Sequence, residues 1–195
     1  PATALFLVCL IVTCGLALTY NITKDKIGER AALDAENARK EILPDADSFM
    51  KVENIEDIAE YRTELKLIKE AYVGLKAEKE LGYVFLVVNK GYGGDISVMV
   101  GVDKSRKITG VKIVKHSETP GLGSKATDKA FLSQLVDITP KEGLKVVKGQ
   151  KGKPEEINAV SGATVTSKAV VGAVQAALDM SVELDKLEES GELKK

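Results

Sequence analysis

The sequence predicts an α+β domain, an antiparallel sheet packed with helices, preceded by a single N-terminal transmembrane helix. Three observations predict it. Residues 1–20 carry no charge, residues 71–115 form short apolar runs separated by polar turns, and residues 167–195 repeat apolar positions at helical spacing. Short turns join neighbouring strands in antiparallel hairpins, whereas parallel strands need long crossovers. A chain of 195 residues is long enough for one domain with a buried core and an appendage.

The uncharged N-terminal run has the length of a membrane span. About 20 apolar residues in a helix cross a hydrocarbon layer of roughly 30 Å. Tyr20 suits the membrane interface, and the basic residues Lys24, Lys26 and Arg30 follow it. A cleaved signal peptide would have a shorter apolar region, a basic start and a small-residue cleavage site. We therefore predict a retained membrane anchor.

A second helix follows the anchor and is predicted to end before Pro44. Ile27, Ala31 and Ala35 recur at a spacing of four on an otherwise charged surface. The sequence therefore divides into a transmembrane anchor at 1–21, a helical stalk at 22–44 and a domain at 45–195. Residues 45–68 are mixed and are interpreted as a short helix leading to a strand.

The pattern changes to strands after residue 70. We predict a strand, a turn at Lys79 to Gly82, and an apolar strand through Val88. Two more strands flank the polar turn at 103–107, and alternation in residues 97–102 predicts one buried sheet face. A helix at 126–138, a short strand at 144–149 and the long final helix complete the domain.

The composition excludes several classes of function. With 28 basic and 29 acidic residues the chain has no excess positive charge for a nucleic-acid-binding face. His116 is the only histidine, and Cys9 and Cys14 both lie in the apolar run, so we predict no metal site and no histidine-based triad. No catalytic residue is predicted.

Three glycine-rich stretches stand out: KGYGGDI at 90–96, HSETPGLG at 116–123 and NAVSGATVTSKAV at 158–170. Glycine permits positive φ and lets a backbone approach a ligand closely. An ordinary turn, an ordinary loop and a helix cap are the simpler interpretations. In the second stretch, however, glycines bracket Leu122, which could lie flat against a planar ring, beside hydrogen-bonding groups on Glu118 and Thr119.

The third stretch precedes the final helix. Thr166 or Ser167 is predicted to cap that helix, whose free N–H groups and positive dipole end favour an anion such as phosphate. Gly162 and Ala163 leave the approach open, and Thr164 presents a hydroxyl beside the anion site.

Taken together, SGATVTS, ETPGLG and GYGGDISVMVG behind one N-terminal membrane helix resemble the covalent-FMN-binding domain family. The resemblance runs from the anchor to about residue 180. It is greatest to the G subunit of the Rnf ion-translocating electron transport complex. The C subunit of the sodium-pumping NADH:quinone oxidoreductase is a related alternative.

The resemblance implies a set of cofactor-binding residues. The Thr164 hydroxyl would carry FMN through a phosphoester bond made by a dedicated flavin transferase. The residues implied around the phosphate and ribityl chain are Ser161, Gly162, Ala163, Thr166 and Ser167, with Lys168 adding charge near the phosphate. Those implied against the flavin ring are Glu118, Thr119, Leu122 and Gly123. Asn158 stands where the family's transferase recognition pattern has Asp.

The implied function is electron transfer. The chain would be a membrane-anchored flavoprotein subunit of an ion-translocating ferredoxin:NAD oxidoreductase, relaying electrons between other membrane and redox subunits. It would be single-pass in the cell (inner) membrane, in contact with the lipid bilayer, with its flavin domain on the extracytoplasmic side. The basic residues after the anchor, by contrast, favour the cytoplasm. A free-standing extracytoplasmic FMN-binding reductase and an anchored structural module are the alternatives from other classes.

Overall fold

The computed structural model describes residues 2–59, 63–149, 152–191 and 193. The chain divides into two compact units, one ending at Asn37 and the other beginning at Ala38. Helix α1, Ala2–Ile42, ends shortly before Pro44, which confirms the predicted helix end and reflects the steric restriction that proline places on the preceding residue. The division of the chain at residues 21 and 44 stays a prediction.

The N-terminal part of α1 is apolar and exposed. Large side chains such as Phe6 and Ile11 have about two thirds of their surface exposed, at 67% and 69%. By length and composition the helix can cross a membrane. The predicted long apolar N-terminal helix is therefore confirmed.

The second unit is built on a five-stranded antiparallel sheet in the order β1-β2-β3-β4-β5. This confirms the predicted fold class. The strands are β1 Ser48–Lys51, β2 Ile68–Lys76, β3 Lys79–Lys90, β4 Asp95–Asp103 and β5 Ile108–Lys115. Between β1 and β2 lie the short helix α2, Ile55–Ala59, and a 3-10 turn, Leu65–Leu67.

The β2–β3 turn is not where the sequence predicts it. It is formed by Ala77 and Glu78, both at positive φ (47° and 67°), and β3 begins at Lys79. The predicted turn at Lys79 to Gly82 is wrong because Ala-Glu lacks the Asn-Gly signature of such turns. Gly82 instead lies inside β3, where a Cβ would collide with the backbone of Val102.

The sheet is buried on both faces, so the prediction of a single buried face is also wrong. Val98 and Val100 of β4 pack in the main core, while Met99 on the opposite face packs with Ala38 and Ile42. Gly101 allows this second contact, because a Cβ there would collide with the Ile42 side chain. The alternation in β4 therefore separates two cores rather than a core and solvent.

The main core lies between the sheet and helix α4, Thr164–Ser190, which confirms the predicted long final helix. The predicted helix at 126–138 is shorter in the structure: a 3-10 turn, Gly123–Thr127, is followed by α3, Lys129–Leu132. The short predicted strand is present as β6, Lys145–Val147. It pairs in parallel with β7, Glu156–Asn158, a strand that was not predicted and that leads directly to the start of α4.

Candidate functional site

The site is built around the amino end of α4, whose first residue is Thr164. The backbone hydrogen bonds of the helix begin with the Ser167 N–H, which donates to the Ala163 carbonyl at 2.9 Å. The N–H groups of the three residues before it therefore have no partner within the helix. Neither an acidic residue in the first turn nor a side-chain cap at Ala163 competes for them.

Thr166 and Ser167, which the sequence predicts to cap α4, have a different role. Thr166 and Ser167 lie inside the first turn of α4 and are buried, so the capping prediction is wrong. The Ser167 hydroxyl donates to the Ala163 carbonyl and accepts from the Val160 N–H, both at 2.9 Å. These bonds hold the residues before Thr164 against the helix, and Gly162 completes the turn at a φ of 77° that favours glycine.

The Thr166 hydroxyl reaches a carboxylate on another loop. It donates to Oε2 of Glu118 at 2.6 Å. Oε1 of Glu118 accepts the backbone N–H groups of Tyr92 at 2.8 Å and Gly93 at 3.0 Å. Glu118 is only 6% exposed, and it joins all three glycine-rich stretches in one hydrogen-bonded cluster.

Glycine is required at three positions near Glu118, because a residue with a side chain would collide with its neighbours there. A Cβ at Gly91 or at Gly123 would collide with the Glu118 carboxylate, and a Cβ at Gly93 would collide with the Ser117 carbonyl. The GYGG and GLG patterns therefore let two loops close around one buried carboxylate.

Glu118 is ionised in this setting. Burial by itself would raise the pKa of Glu118. The hydrogen bonds from Thr166, Gly93 and Tyr92 favour the charged form and outweigh burial, so the pKa lies below its usual value. The cluster thus holds a carboxylate whose charge is satisfied by three donors.

A cavity of about 460 Å³ opens beside this cluster. That volume lies within the range of about 300–1,000 Å³ that is usual for small-molecule sites. Eight residues implied by the sequence resemblance line it: Glu118, Thr119, Leu122, Gly123, Gly162, Ala163, Thr164 and Thr166. The structure therefore brings together two segments that are distant in the sequence.

A second cavity of about 280 Å³ lies against the stretch that precedes α4. Its lining contains Ser161, and it shares Lys148, Gly162 and Thr164 with the first cavity. The two remaining implied residues lie outside both linings: Ser167 is fully buried, and Lys168 is exposed on α4.

Sequence reasoning missed three residues that line the larger cavity: Tyr92, Val165 and Lys148. Tyr92 lies in a loop already singled out for its glycines, so its position could have been found. Tyr92, Leu122 and Val165 are 76%, 50% and 52% exposed, and they contribute apolar surface to the cavity lining. Lys148 follows β6 and reaches the site through the unpredicted pairing with β7.

Comparison with known proteins agrees with this geometry. Residues 91–179 match the model of the FMN-binding domain family, a range that contains every residue lining the two cavities. The G subunit of the Na⁺-translocating ferredoxin:NAD⁺ oxidoreductase complex of Acetobacterium woodii is 35% identical, with 93% of this chain and 90% of that protein covered. The chain belongs to the family of G subunits of ion-translocating oxidoreductase complexes.

Other members of this family show similar identity. The G subunit of the proton-translocating ferredoxin:NAD⁺ oxidoreductase complex of Clostridium ljungdahlii is 33% identical over 90% of this chain and 86% of its own length. The G subunit of the ion-translocating oxidoreductase complex of Methanosarcina acetivorans is 34% identical over 84% of each. Among solved structures, Shewanella oneidensis NqrC has 25% identity and a TM-score of 0.51, covering 62% of this chain and 61% of that one.

The residues present fit an FMN group. The lining of the larger cavity offers apolar side chains at Leu122 and Val165 for a planar ring and polar groups at Thr119 and Thr164. The free N–H groups at the start of α4 suit a phosphate. A hydroxyl, the amino end of a helix and apolar side chains thus belong to the lining of one cavity.

Proposed function

We propose that this chain is a membrane-anchored flavoprotein subunit that relays electrons within an Rnf-type ion-translocating ferredoxin:NAD⁺ oxidoreductase. The proposed cofactor is FMN, joined by a phosphoester bond to the Thr164 hydroxyl. The observation that carries the proposal is the position of Thr164, which lines both cavities at the amino end of α4. The function named for the relatives supports it.

Thr164 is suited to hold a phosphate. Its hydroxyl lies beside N–H groups that have no partner within the helix, at the positive end of the α4 dipole. Gly162 and Ala163 add no bulk on the approach to it. An attached phosphate would therefore be stabilised by α4 itself, and the covalent bond would prevent loss of a cofactor from an open site.

The larger cavity is suited to hold the flavin ring. FMN supplies the capacity to accept and donate electrons when it is bound, while the protein positions it. Leu122 and Val165 offer apolar contacts, and the Glu118 cluster holds the loop that carries Leu122 in place. The exposure of Tyr92 at this cavity leaves the site open to a redox partner.

The remaining parts of the proposal concern the membrane and the partner proteins. We expect α1 to cross the cell membrane once, with the flavin domain on the extracytoplasmic side. The partners are other membrane and redox subunits of the complex and, during maturation, a flavin transferase. The apolar surface of α1 supports the membrane crossing, and the complexes to which the relatives belong support the partner subunits.

Covalent attachment is tested by co-expressing the full chain with a flavin transferase. Wild-type protein should give a fluorescent band on a denaturing gel and an intact mass increased by one FMN less one water. Thr164→Val removes the hydroxyl at nearly constant volume and should abolish both signals. Thr109→Val, which lies outside both cavity linings, is the matched control and should keep them. A second known substrate of the same transferase serves as the positive control. If that substrate becomes flavinylated while the wild-type chain gives a band without fluorescence, the proposal is refuted.

Membership of a complex is tested by purification from native membranes in mild detergent. A tagged chain should bring other membrane subunits with it and should be reduced by ferredoxin or NADH only in their presence. A chain that is recovered alone and passes electrons directly to a small acceptor would favour the free-standing reductase.

A further inference from the structure

The two cavities share three lining residues, Lys148, Gly162 and Thr164. Thr164 contributes a hydroxyl and Gly162 contributes only backbone, so Lys148 is the shared residue with a charge. Among the described residues that line either cavity, the charged ones are Lys148 and Glu118. Lys148 is therefore the described cation that lines both cavities at Thr164.

The backbone fixes where Lys148 lies. Val147 pairs with Asn158 in the parallel β6–β7 sheet, and the Ala159 N–H donates to the Val147 carbonyl at 2.9 Å. This bond continues the pairing one residue beyond β7, to the point where the chain turns toward Thr164. Lys148 follows Val147 directly, so its position beside the turn is set by strand pairing rather than by a mobile loop.

The charge of Lys148 is available to a ligand. No ion pair joins it to an acidic residue in the described part of the chain, whereas the nearby Lys153 pairs with Glu142 at 3.2 Å. The other charged residue of the larger cavity, Glu118, already accepts hydrogen bonds from Thr166, Tyr92 and Gly93. Lys148 is also exposed, so its ammonium group can move toward an anion without breaking a structural contact.

We propose that Lys148 binds the phosphate of the flavin, an inference that rests on the proposed function and deepens it. A phosphate esterified to both Thr164 and a ribityl chain keeps one negative charge. Lysine binds phosphate as a flexible point charge, which suits a group whose position is set elsewhere by a covalent bond. Lys168 on α4, for which the resemblance implies the same role, lies outside both cavity linings, whereas Lys148 on the loop after β6 lines both.

Lysine reactivity tests this directly. Full-length protein in detergent is prepared with and without the flavin transferase, acetylated under native conditions with limiting reagent, and mapped by mass spectrometry. Lys148 should react several-fold more slowly in the flavinylated protein. Lys145, on the strand that precedes Lys148 and outside both cavity linings, is the matched control and should react equally in the two samples.

The outcomes separate the two proposals. If the intact mass includes FMN and Lys148 still reacts equally in both samples, the assignment of Lys148 is wrong while covalent attachment stands. If the intact mass lacks FMN despite active transferase, the proposed function itself fails.

Substitution gives a second measurement that separates charge from folding. Without transferase, the wild-type protein should bind FMN about tenfold more tightly than riboflavin, since a charge-assisted hydrogen bond to phosphate contributes on that scale. Lys148→Gln should lower this preference several-fold, to the part that the free N–H groups of α4 provide, while leaving riboflavin binding unchanged, and Lys148→Arg should keep it. Lys145→Gln controls for the loss of a charge nearby. A preference for FMN that is as large in Lys148→Gln as in the wild-type protein would overturn the inference.

Discussion

The Thr166 hydroxyl and the Glu118 carboxylate lie 2.6 Å apart in a buried hydrogen bond that ties the first turn of α4 to the loop after β5. The two residues are distant in the chain, and the bond is shielded from water at both ends. The site therefore depends on a polar contact between elements that are far apart in the sequence.

Replacing Thr166 with Val should destabilise the protein by about 1–3 kcal/mol, because it leaves a buried carboxylate oxygen without its donor. Thermal or urea unfolding of the full chain in detergent, followed by circular dichroism, measures this. Ser105→Ala is a matched control, since that hydroxyl also donates to a carboxylate, Asp103, at 2.6 Å but on an exposed turn. An equal loss of unfolding free energy in the two variants would show that the buried hydrogen bond contributes no more to stability than the exposed one.

Acidification should weaken the hydrogen-bonded cluster around Glu118. The pKa of Glu118 lies below its usual value in the folded protein, so the ionised form contributes stability above the ordinary glutamate pKa of about 4.3. That contribution is lost as the pH falls through the lower, folded-state pKa. Wild-type protein should therefore lose more unfolding free energy than Glu118→Gln between about pH 6 and pH 3. Parallel curves for the two proteins would show that Glu118 is not the titrating group.

Gly123→Ala should disturb the site by steric collision. The added methyl group meets the Glu118 carboxylate, which cannot move without losing its bonds to Thr166, Tyr92 or Gly93. We expect lower thermal stability and reduced flavin attachment. Gly152→Ala is the control, because a Cβ there makes only an ordinary contact with Glu156. A Gly123→Ala protein that behaves like Gly152→Ala would mean that the loops move apart readily.

A second polar cluster, away from the cavities, should matter for stability alone. The Lys104 ammonium lies 2.7 Å from the Tyr83 hydroxyl, 2.5 Å from Glu188 and 3.3 Å from Asp185. Lys104→Met should cost about 1–3 kcal/mol, because it leaves half-buried polar groups without their charged donor. Lys107→Met, which removes an exposed pair with Asp137 at 2.6 Å, should have a much smaller effect because water screens that pair.

Unfolding free energies measure both lysine variants, and flavin attachment should be unchanged in either. Equal losses of stability in the two proteins would show that the Lys104 cluster contributes no more than a surface ion pair. A loss of attachment in Lys104→Met at a temperature where the protein stays folded would contradict its separation from the site.

Much of the fold follows from hydropathy. The uncharged N-terminal run, the strands of the sheet and the long final helix are visible in the spacing of apolar residues. The β2–β3 turn could not be predicted, because Ala77 and Glu78 adopt positive φ without the usual turn residues. The second buried face was missed because alternation looks the same whether the other face meets solvent or Ile42.

The site was predictable where glycine and hydroxyl residues cluster in the sequence. Thr119, Leu122 and Thr164 line the larger cavity, but their roles toward a flavin stay a prediction. The bonds that organise the site were not visible: the sequence assigned Thr166 to capping, while the structure pairs it with Glu118. Lys148 was missed because parallel pairing between β6 and β7 joins segments with no shared pattern.

The convergence of three loops on Glu118 has a consequence for how the site tolerates change. Because each loop is held through the same carboxylate, the loops should open together as a single thermodynamic unit rather than one at a time. Substitutions at Gly91, Gly123 and Thr166 should then be less than additive, since the first to release Glu118 leaves the others little to disrupt. Redesign of one loop would accordingly succeed only if the other two were redesigned with it.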